Sequence, residues 1–545
     1  MEPLDQALAA RLCKLYDKVK GDRSVFDAHC NEISEVMWPA HSAAFIGMSL
    51  TTGDKRTSKQ FDARAESALK KYMAIMESLL TPAGGKWHYL KPSNRDLLKD
   101  RETRVWFDGV NTILLSHRNA PKANFQGVQQ QKYLSIGAFG NGVKFIDTPD
   151  KSRGLRYKAI GLHELYFLED HAGIIDTALR CFKLTARQAA QKFGMENLPA
   201  DIREAVEKDA EKEFEFIHVV MPREDMDPNR MDAKGKPYAS YTMAYQKKQM
   251  VSEGGFNSFP YCIGREPRAP GEVYGRSPAM TALPSVKVLN EEKKTMLKQG
   301  HRAVDPVILA ADDGVLDTFN LKPGAVNYGA MSSDGKRLVD ILPTGRLDVG
   351  MDLMDMERQD IDRAFSVDLF QILMDSPVMT ATQALEIARE KGMLLVPSFG
   401  KYQADMLGPQ LDRELDLLSE QGLLPPMPPM LREARGEYDI VFDSPVNRMQ
   451  KAEEGSGLMR TVEMTLSVVN VTQDPSPLDH FDWDTIVPEI ADQQAVPQRW
   501  MRDPKVVEQI RASRQQAQQT EQAINAAPAA ASVLKAAPEL MNQGG

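Results

Sequence analysis

Four groups of residues have types and spacing that could do chemistry. Gly84-Gly85-Lys86-Trp87 sets a lysine behind glycines, as a loop holding a nucleotide's phosphates does. It lacks the first glycine of G-x-x-x-x-G-K-[ST] and the hydroxyl residue that would meet magnesium, so nucleotide hydrolysis has no anchor here. Gly137-x-x-Gly140-x-Gly142 could bring a pyrophosphate close to the backbone. Its spacing is not the dinucleotide one, and it precedes a strand-like segment, whereas a phosphate cradle opens a helix. These glycines read as turn residues. His163-Glu164 could begin a zinc site, but no second histidine lies at the needed offset. Glu291-x-Lys293 and Glu292-x-Lys294 match the E-x-K pattern of a metal-dependent nuclease. Both fall inside a helical segment, where such charges form a solvated face. No G-x-S-x-G occurs. Cys13, Cys30, Cys181 and Cys262 are scattered without C-x-x-C spacing, which suits a reducing compartment and disfavours a disulfide framework or a zinc site. The expectation is no catalytic residue, no metal and no cofactor.

The elements that would position such groups belong to a chain of 545 residues, 42% hydrophobic and 26% charged. That length exceeds one ordinary core and predicts several domains. The net charge is −9. A chain that coats or reads DNA is usually basic, so wrapping is disfavoured, while passing DNA without gripping it stays allowed. Met1-Glu2-Pro3-Leu4-Asp5 has neither a basic nor an apolar leader segment, so no secretory signal is expected. No run approaches the ~18–20 apolar residues of a membrane span. The expectation is assembly in cytoplasm without a membrane anchor.

Helical spacing covers residues 5–37, with a break at Lys20-Gly21-Asp22 and Asp22 as a cap for the second piece, ended by Pro39. It also covers 58–80 and 94–118, and Asn124 reads as the N-cap of a helix to about Ile136. Period-two alternation then predicts strands at Val143–Asp147, Glu164–Glu169, Ile174–Phe182, Phe214–Val220 and Tyr238–Tyr245, with helical pieces near 185–193 and 199–210. The stretches Pro92–Asp100 and Lys248–Gly255 carry no clear pattern. Ser277-Pro278 reads as an N-cap followed by proline, with Pro284 as a second candidate start for a helix to about Arg302. Residues 305–347 read as strand and turn, and 348–370 as helix. Thr380 and Gln383 fit a capping box for a long helix that Pro397 and Pro409 should kink. Pro425-Pro426-Met427-Pro428-Pro429 is a stiff loop, and the chain beyond Pro445 is mostly helical to about 526, with a mobile end. The fold class is α+β, mainly helical.

The two helices that bracket 305–347 have opposite charge. Residues 276–303 hold six basic residues (Arg276, Lys287, Lys293, Lys294, Lys298, Arg302) against Glu291 and Glu292, a net +4. Residues 348–370 hold Asp348, Asp352, Asp355, Glu357, Asp360, Asp362 and Asp368 against Arg358 and Arg363, a net −5. An antiparallel pair with basic and acidic surfaces facing within or between subunits is one reading, and two solvated helices the other. Exposed pairs are worth only ~0–1 kcal/mol each, so the pattern would set register more than stability.

Several blocks recur in a fixed order: Thr81-Pro82 before Lys86-Trp87, Lys122-Ala123-Asn124-Phe125, Gly137 to Gly142, Tyr274-Gly275-Arg276-Ser277-Pro278-Ala279-Met280 before Leu289-Asn290-Glu291, Thr380 to Gln383, Glu420 to Pro425, and Tyr438 to Pro445. In this order, over roughly residues 5–520, the chain resembles the head-to-tail connector (portal) proteins of short-tailed, podovirus-type bacteriophages. The resemblance implies the phage portal fold and a ring-forming subunit. Its parts would be a wing (1–275 and 380–450), a stem (276–303 and 348–370), a clip (304–347), a tunnel loop (371–379) and a crown with a mobile tail (451–545). It implies a structural role in a dodecameric ring at the capsid vertex of the virion, through which double-stranded DNA is packaged and ejected without sequence specificity. The implied partners are scaffold protein, major capsid protein, terminase large subunit and, later, the tail adaptor, with nucleotide hydrolysis left to terminase. The tunnel loop would be Gln371, Ile372, Leu373, Met374, Asp375, Ser376, Pro377, Val378 and Met379, a collar without lysine or arginine. Lys287, Lys293, Lys294, Lys298, Arg302, Asp352, Asp355, Glu357, Asp360 and Asp362 would line the channel or pair between helices. Two alternatives stay open: an adaptor or tail ring that is not the packaging portal, and a DNA-packaging nuclease.

Overall fold

The structure is a computed structural model. It describes residues 6–42, 44–47, 53, 56–94, 96–97, 100–149, 152–310, 320, 322–343, 347–367, 400–434, 436–443, 445–474, 476–493, 500–502 and 506–520. The helices in chain order are α1 (Gln6–Asp22), α2 (Ser24–Met37), α3 (Arg64–Leu80), α4 (Arg101–Arg118), α5 (Phe125–Phe139), α6 (Ala186–Phe193) and α7 (Ala200–Lys208). They continue with α8 (Pro278–Val304), α9 (Leu347–Ala364), α10 (Gly408–Glu420), α11 (Pro429–Glu433), α12 (Pro445–Thr472) and α13 (Trp483–Gln493). The strands are β1 (His88–Pro92), β2 (Asn141–Asp147), β3 (Arg156–Ile160), β4 (Leu165–Glu169), β5 (Ile175–Thr185) and β6 (Glu213–Pro222). After them come β7 (Tyr238–Ala244), β8 (Gln249–Phe256), β9 (Tyr261–Arg265), β10 (Ile308–Ala310), β11 (Val339–Ile341) and β12 (Tyr438–Phe442). The architecture is mainly helical α+β.

Residues 1–85 and 117–421 form one compact unit, and 86–116 with 422–545 form another. In the first, β4 to β8 make an antiparallel five-stranded meander, and β3-β2-β9 a three-stranded antiparallel sheet. Period-two alternation sends Ile217 and Val219 of β6 to one face of the meander and Phe214 and Phe216 to the other. Ala9, Leu12, Cys13, Tyr16 and Val19, one stripe of α1, cover the first face. Ala186, Ala189 and Phe193 of α6, with Ile202 and Ala205 of α7, cover the second. Thr185 and Gln188 close a capping box at the start of α6. In the second unit, β1 pairs antiparallel with β12, from His88 opposite Phe442 to Pro92 opposite Tyr438.

Several sequence expectations are corrected by tertiary contacts. The break between α1 and α2 falls at Arg23, and Asp22 caps nothing because it ends α1. Arg23 is buried, donates to the Leu165 carbonyl at 2.5 Å, pairs with Asp27 at 2.8 Å and lies 3.7 Å over the Tyr166 ring. Asn124 precedes α5 in a left-handed conformation (φ 57°) and does not cap with its side chain. Pro284 lies inside α8, which starts at Pro278. The helices expected from 58 and 94 start at Arg64 and Arg101. Strand β8 carries Gly254 and Gly255, and β9 is buried at every position, so neither shows the alternation that sequence reading needs. The kink expected at Pro409 is a π turn, Gln403–Leu407, after which Pro409 sits in the first turn of α10. That π turn covers β9, where a side chain added at Gly264 would meet Met406 at 2.8 Å. The tunnel loop 371–379, Asp368, the Thr380–Gln383 box and Pro397 lie outside the described residues.

Candidate functional site

The feature that the charge pattern singles out is α8, α9 and the described residues between them (305–310, 320 and 322–343), all within the first unit. The base of α8 is locked by two of the sequence blocks, which meet in space. Gly140 turns the chain at φ 73° after α5 and lies against Gly275, where a Cβ would sit 2.6 Å from the carbonyl oxygens of both Glu266 and Gly140. No L side chain other than glycine fits such an approach. The Asn141 amide donates to the Phe139 carbonyl at 3.0 Å and the Gly275 carbonyl at 3.3 Å, and its oxygen accepts from the Gly275 N–H at 3.0 Å. The Ser277 hydroxyl donates to the Ala138 carbonyl at 2.8 Å and accepts from the Met280 N–H at 3.0 Å, capping α8. Tyr274 stacks on Phe26 at 5.0 Å and tilts against Phe167 at 4.4 Å.

Further along, α8 and α9 are tied to the segment that leads into α3. The Asn290 amide oxygen accepts from the N–H groups of Phe61 (2.8 Å) and Asp62 (3.0 Å). Arg64 of α3 makes a two-pronged pair with Asp362 of α9, with Nε to Oδ1 at 2.9 Å. Arg358 answers with Asp62 at 2.7 Å, and its guanidinium holds the Asp62 carboxyl below the usual range despite burial. An open cavity of about 600 Å³ lies between these clamps, lined by Asp62, Arg64, Ser67, Asp355, Arg358 and Gln359. Its arginines already hold carboxylates, so it offers no free cation to an anion.

The two charged helices pack against each other. They meet where Met296 packs on Gly350, and there Glu292 faces Glu357. The Oε2 atoms of both are buried without a hydrogen-bond partner, and burial followed by the Glu357 charge raises Glu292. Like charges at the seam disfavour joint ionisation. Of the residues expected as channel-wall or inter-helix charges, Lys287 pairs with Glu32 of α2 and Lys294 with Glu291 at 3.4 Å. Lys293 is half-buried and acts on Asp62. Asp355 pairs with Arg358 at 2.8 Å and Asp360 with Arg363 at 3.0 Å, both within α9. Asp362 is buried in the Arg64 clamp and so belongs to the core side of α9. Lys298, Arg302 and Asp352 are exposed, and no ion pair among the described residues uses them.

Between the helices, β10 and β11 pair over three residues each, and Ser332 to Gly335 close a turn through a 3.0 Å bond. Val307, Leu309, Val326, Tyr328, Met331 and Ile341 are all exposed. A two-stranded ribbon this short has no core of its own.

On the other side of the unit, α10 is held by a buried polar network. Glu414 takes both prongs of Arg118, with Nε at 3.0 Å, the Tyr157 hydroxyl at 2.7 Å and the Gln410 amide at 2.6 Å. Lys144 donates to the side-chain oxygens of Gln129 (2.7 Å) and Gln410. Burial lowers Lys144 to about 8 and also lowers Lys132, which donates to the Cys262 carbonyl at 2.8 Å. Gln421, past the end of α10, brackets Gly154 with a 2.6 Å and a 3.1 Å bond.

Sequence reading missed Arg64, Asp62, Arg358 and Asn290 as fixing residues. Asn290 stood within a resembled block, but nothing local marked its partners at residues 61 and 62. Among the described residues no group of three or more His, Cys, Asp or Glu could hold a metal ion, and no helix is long and apolar enough to cross a membrane. The clamps and buried pairs of the first unit fix its elements to one another. The family described as bacteriophage head to tail connecting protein matches residues 9–501. The chain is 26% identical over 540 residues to the portal protein of Salmonella phage epsilon15, covering 97% of this chain and 95% of that one. It is 25% identical over 519 residues to a probable portal protein of Bordetella phage BPP-1, covering 94% and 92%.

Proposed function

The chain belongs to the bacteriophage head to tail connecting protein family, and from that membership we propose that it works as a portal subunit. Copies close into a ring at one capsid vertex, double-stranded DNA enters and leaves through the axial opening, and the ring joins head to tail. The observation that carries this reading is the similarity to a portal protein and a probable portal protein over 94% or more of the chain. A ring of identical subunits needs a heterologous interface that closes, so each subunit must offer two different, complementary faces. The outward sides of α8 and α9, with opposite charge and exposed Leu297, Val304, Val349 and Met356, are suited to that.

In this reading α8 and α9 are the stem and residues 304–347 the clip. The clip's exposed apolar side chains support a docking role, first for the terminase large subunit and then for the tail adaptor. Scaffold and major capsid protein would surround the wing. An acidic lining lets the duplex slide, because DNA carries one charge per ~1.7 Å of axis and a uniformly basic wall would hold it. The chemistry of packaging then belongs to the motor and this chain is its mount. Native mass and negative-stain images of the purified protein test the proposal. A ring, dodecameric by expectation, with a central opening is the expected result. A strict monomer at every salt concentration and at micromolar protein would overturn it. Replacing 304–347 with a short Gly/Ser linker should leave rings but remove terminase binding; packaging at the normal rate by that variant would sink the docking assignment.

A further inference from the structure

The packing face between α8 and α9 carries acid where hydrocarbon would be expected. The two helices run antiparallel. Met296 of α8 meets Gly350 of α9, while Asn290, earlier on α8, is tied through Asp62 to Arg358, later on α9. Gly350, Met354, Glu357 and Ile361 recur at i, i+4, i+7 and i+11, one narrow stripe of α9 in which Met354 and Ile361 are buried. Leu289, Glu292 and Met296 recur at i, i+3 and i+7 on one flank of α8, and Leu289 is buried. Asn290 and Lys293 lie on the other flank, toward Phe61 and Asp62. Glu292 and Glu357 thus stand in stripes otherwise given to packing, and each leaves its Oε2 buried with no hydrogen-bond partner.

We infer that Glu292 and Glu357 share one proton across this seam, and that the proton is a clasp: with it α8 and α9 close on each other, and without it they are pushed apart. A protonated carboxyl donates its O–H to the neighbouring carboxylate and satisfies the oxygens that are otherwise orphaned. Its loss leaves two anions face to face with no donor between them. The neighbouring charges are committed elsewhere. On α8, Glu291 pairs with Lys294, Lys287 with Glu32 of α2, and Lys293 acts on Asp62. On α9, Asp355 pairs with Arg358 and Asp360 with Arg363. From the α3 side, Asp62 and Arg64 take Arg358 and Asp362, and Glu66 takes Lys70. Burial, then the Glu357 charge, raises Glu292 above its ordinary 4.5. Above that value the folded chain therefore holds a proton that the unfolded chain has released, and the stability linked to it falls as pH rises. The Arg64 and Arg358 clamps fix α9 to α3, so the part that loosens is the far end of the pair, which carries β10 and β11. The clasp lies within one chain, so it goes beyond the portal reading and does not depend on ring formation.

The test compares the full-length parent with E292Q and E357Q. Glutamine keeps the size, removes the charge and donates an N–H where the shared proton would sit. Hydrogen exchange is read at about pH 5 and about pH 7.5, with the chemical exchange rate divided out, and thermal melting is read at the same two values. In the parent, the amides of Leu347–Ala364 should lose protection several-fold at the higher pH, while those of β6 should not. In both variants the helix should be equally protected at the two values. The variants should melt above the parent at the higher pH, by a margin that shrinks toward the lower. An equal pH response in parent and variants overturns the clasp. So does a melting difference of the same size at both values, which is what a role in packing alone would give. Magnesium that restores protection to the parent at the higher pH, and not to E292Q, would make the neutralising partner a cation and also overturn the shared proton.

Discussion

Replacing Glu414 by glutamine should unfold the first unit at a markedly lower temperature without touching any surface. Both members of the Arg118–Glu414 pair are fully buried, and Glu414 also accepts from Tyr157 and Gln410. The amide keeps the shape but removes the charge, leaving a guanidinium in the core with no counter-ion. Breaking one partner of such a pair costs about 3–5 kcal/mol. That is a large share of a typical total of about 5–15 kcal/mol. At about 2–4 °C per kcal/mol for a unit of 150–250 residues, and less for a larger one, the midpoint should fall by roughly 5–15 °C. The double variant R118M/E414M removes the stranded charge as well but leaves the Tyr157 and Gln410 donors without an acceptor, at about 1–3 kcal/mol each, so its loss should be comparable to that of E414Q and well short of the summed losses of R118M and E414Q. Thermal unfolding at low protein concentration, followed by circular dichroism, measures all three. A midpoint for E414Q within a degree of the parent, or a double variant worse than the sum of the singles, would refute the argument.

G275A should abolish soluble folded protein, because its methyl would meet two backbone oxygens at 2.6 Å, whereas G300A, with nothing within 4 Å, should stabilise by up to about 1 kcal/mol; expression and melting distinguish them. A double-mutant cycle on Arg64 and Asp362 should give a coupling of about 1–2 kcal/mol, below that of the Arg118 pair because Arg64 is partly exposed and water screens it; a coupling near zero would show that the clamp is incidental. Burial lowers Lys144 from 10.5 to about 8, so between those values the unfolded chain binds a proton that the folded one lacks. Stability linked to this group should rise with pH from about 8 and carry the full penalty below it. K144M should flatten the rise, and identical pH profiles of melting between pH 7 and 9.5 for parent and variant would refute it.

Much of the fold was legible because local chemistry decided it. The strands β2, β4, β5, β6 and β7 are short runs of β-branched and aromatic residues set between turn residues, and the Ser277 cap on Met280 followed by Pro278 is a local helix start. The joint at Arg23 was not legible, since an arginine held by Leu165, Asp27 and Tyr166 looks in sequence like any surface arginine. Strand β9 failed for a different reason: it is covered on both sides, so its pattern carries no period. The charged helices were visible as such, but not that their seam would hold Glu292 against Glu357 and leave Lys298, Arg302 and Asp352 outside. The resembled blocks turned out to be joints: Gly140 with Gly275, Trp87 with Asp443, Gln421 with Gly154.

Those joints also order events during synthesis. The lock at the base of α8 closes residues 138–141 on 275–277, and the buried pair closes 118 on 414. Strand β1 waits for β12, some 350 residues later. Contacts so far apart form slowly and late. A ribosome that stops before residue 414 leaves Arg118 and Tyr157 without their acceptor, and one that stops before 438 leaves β1 without a partner strand. Incomplete chains therefore cannot finish the core that carries α8. In the portal reading, a ring is thereby supplied only with finished subunits.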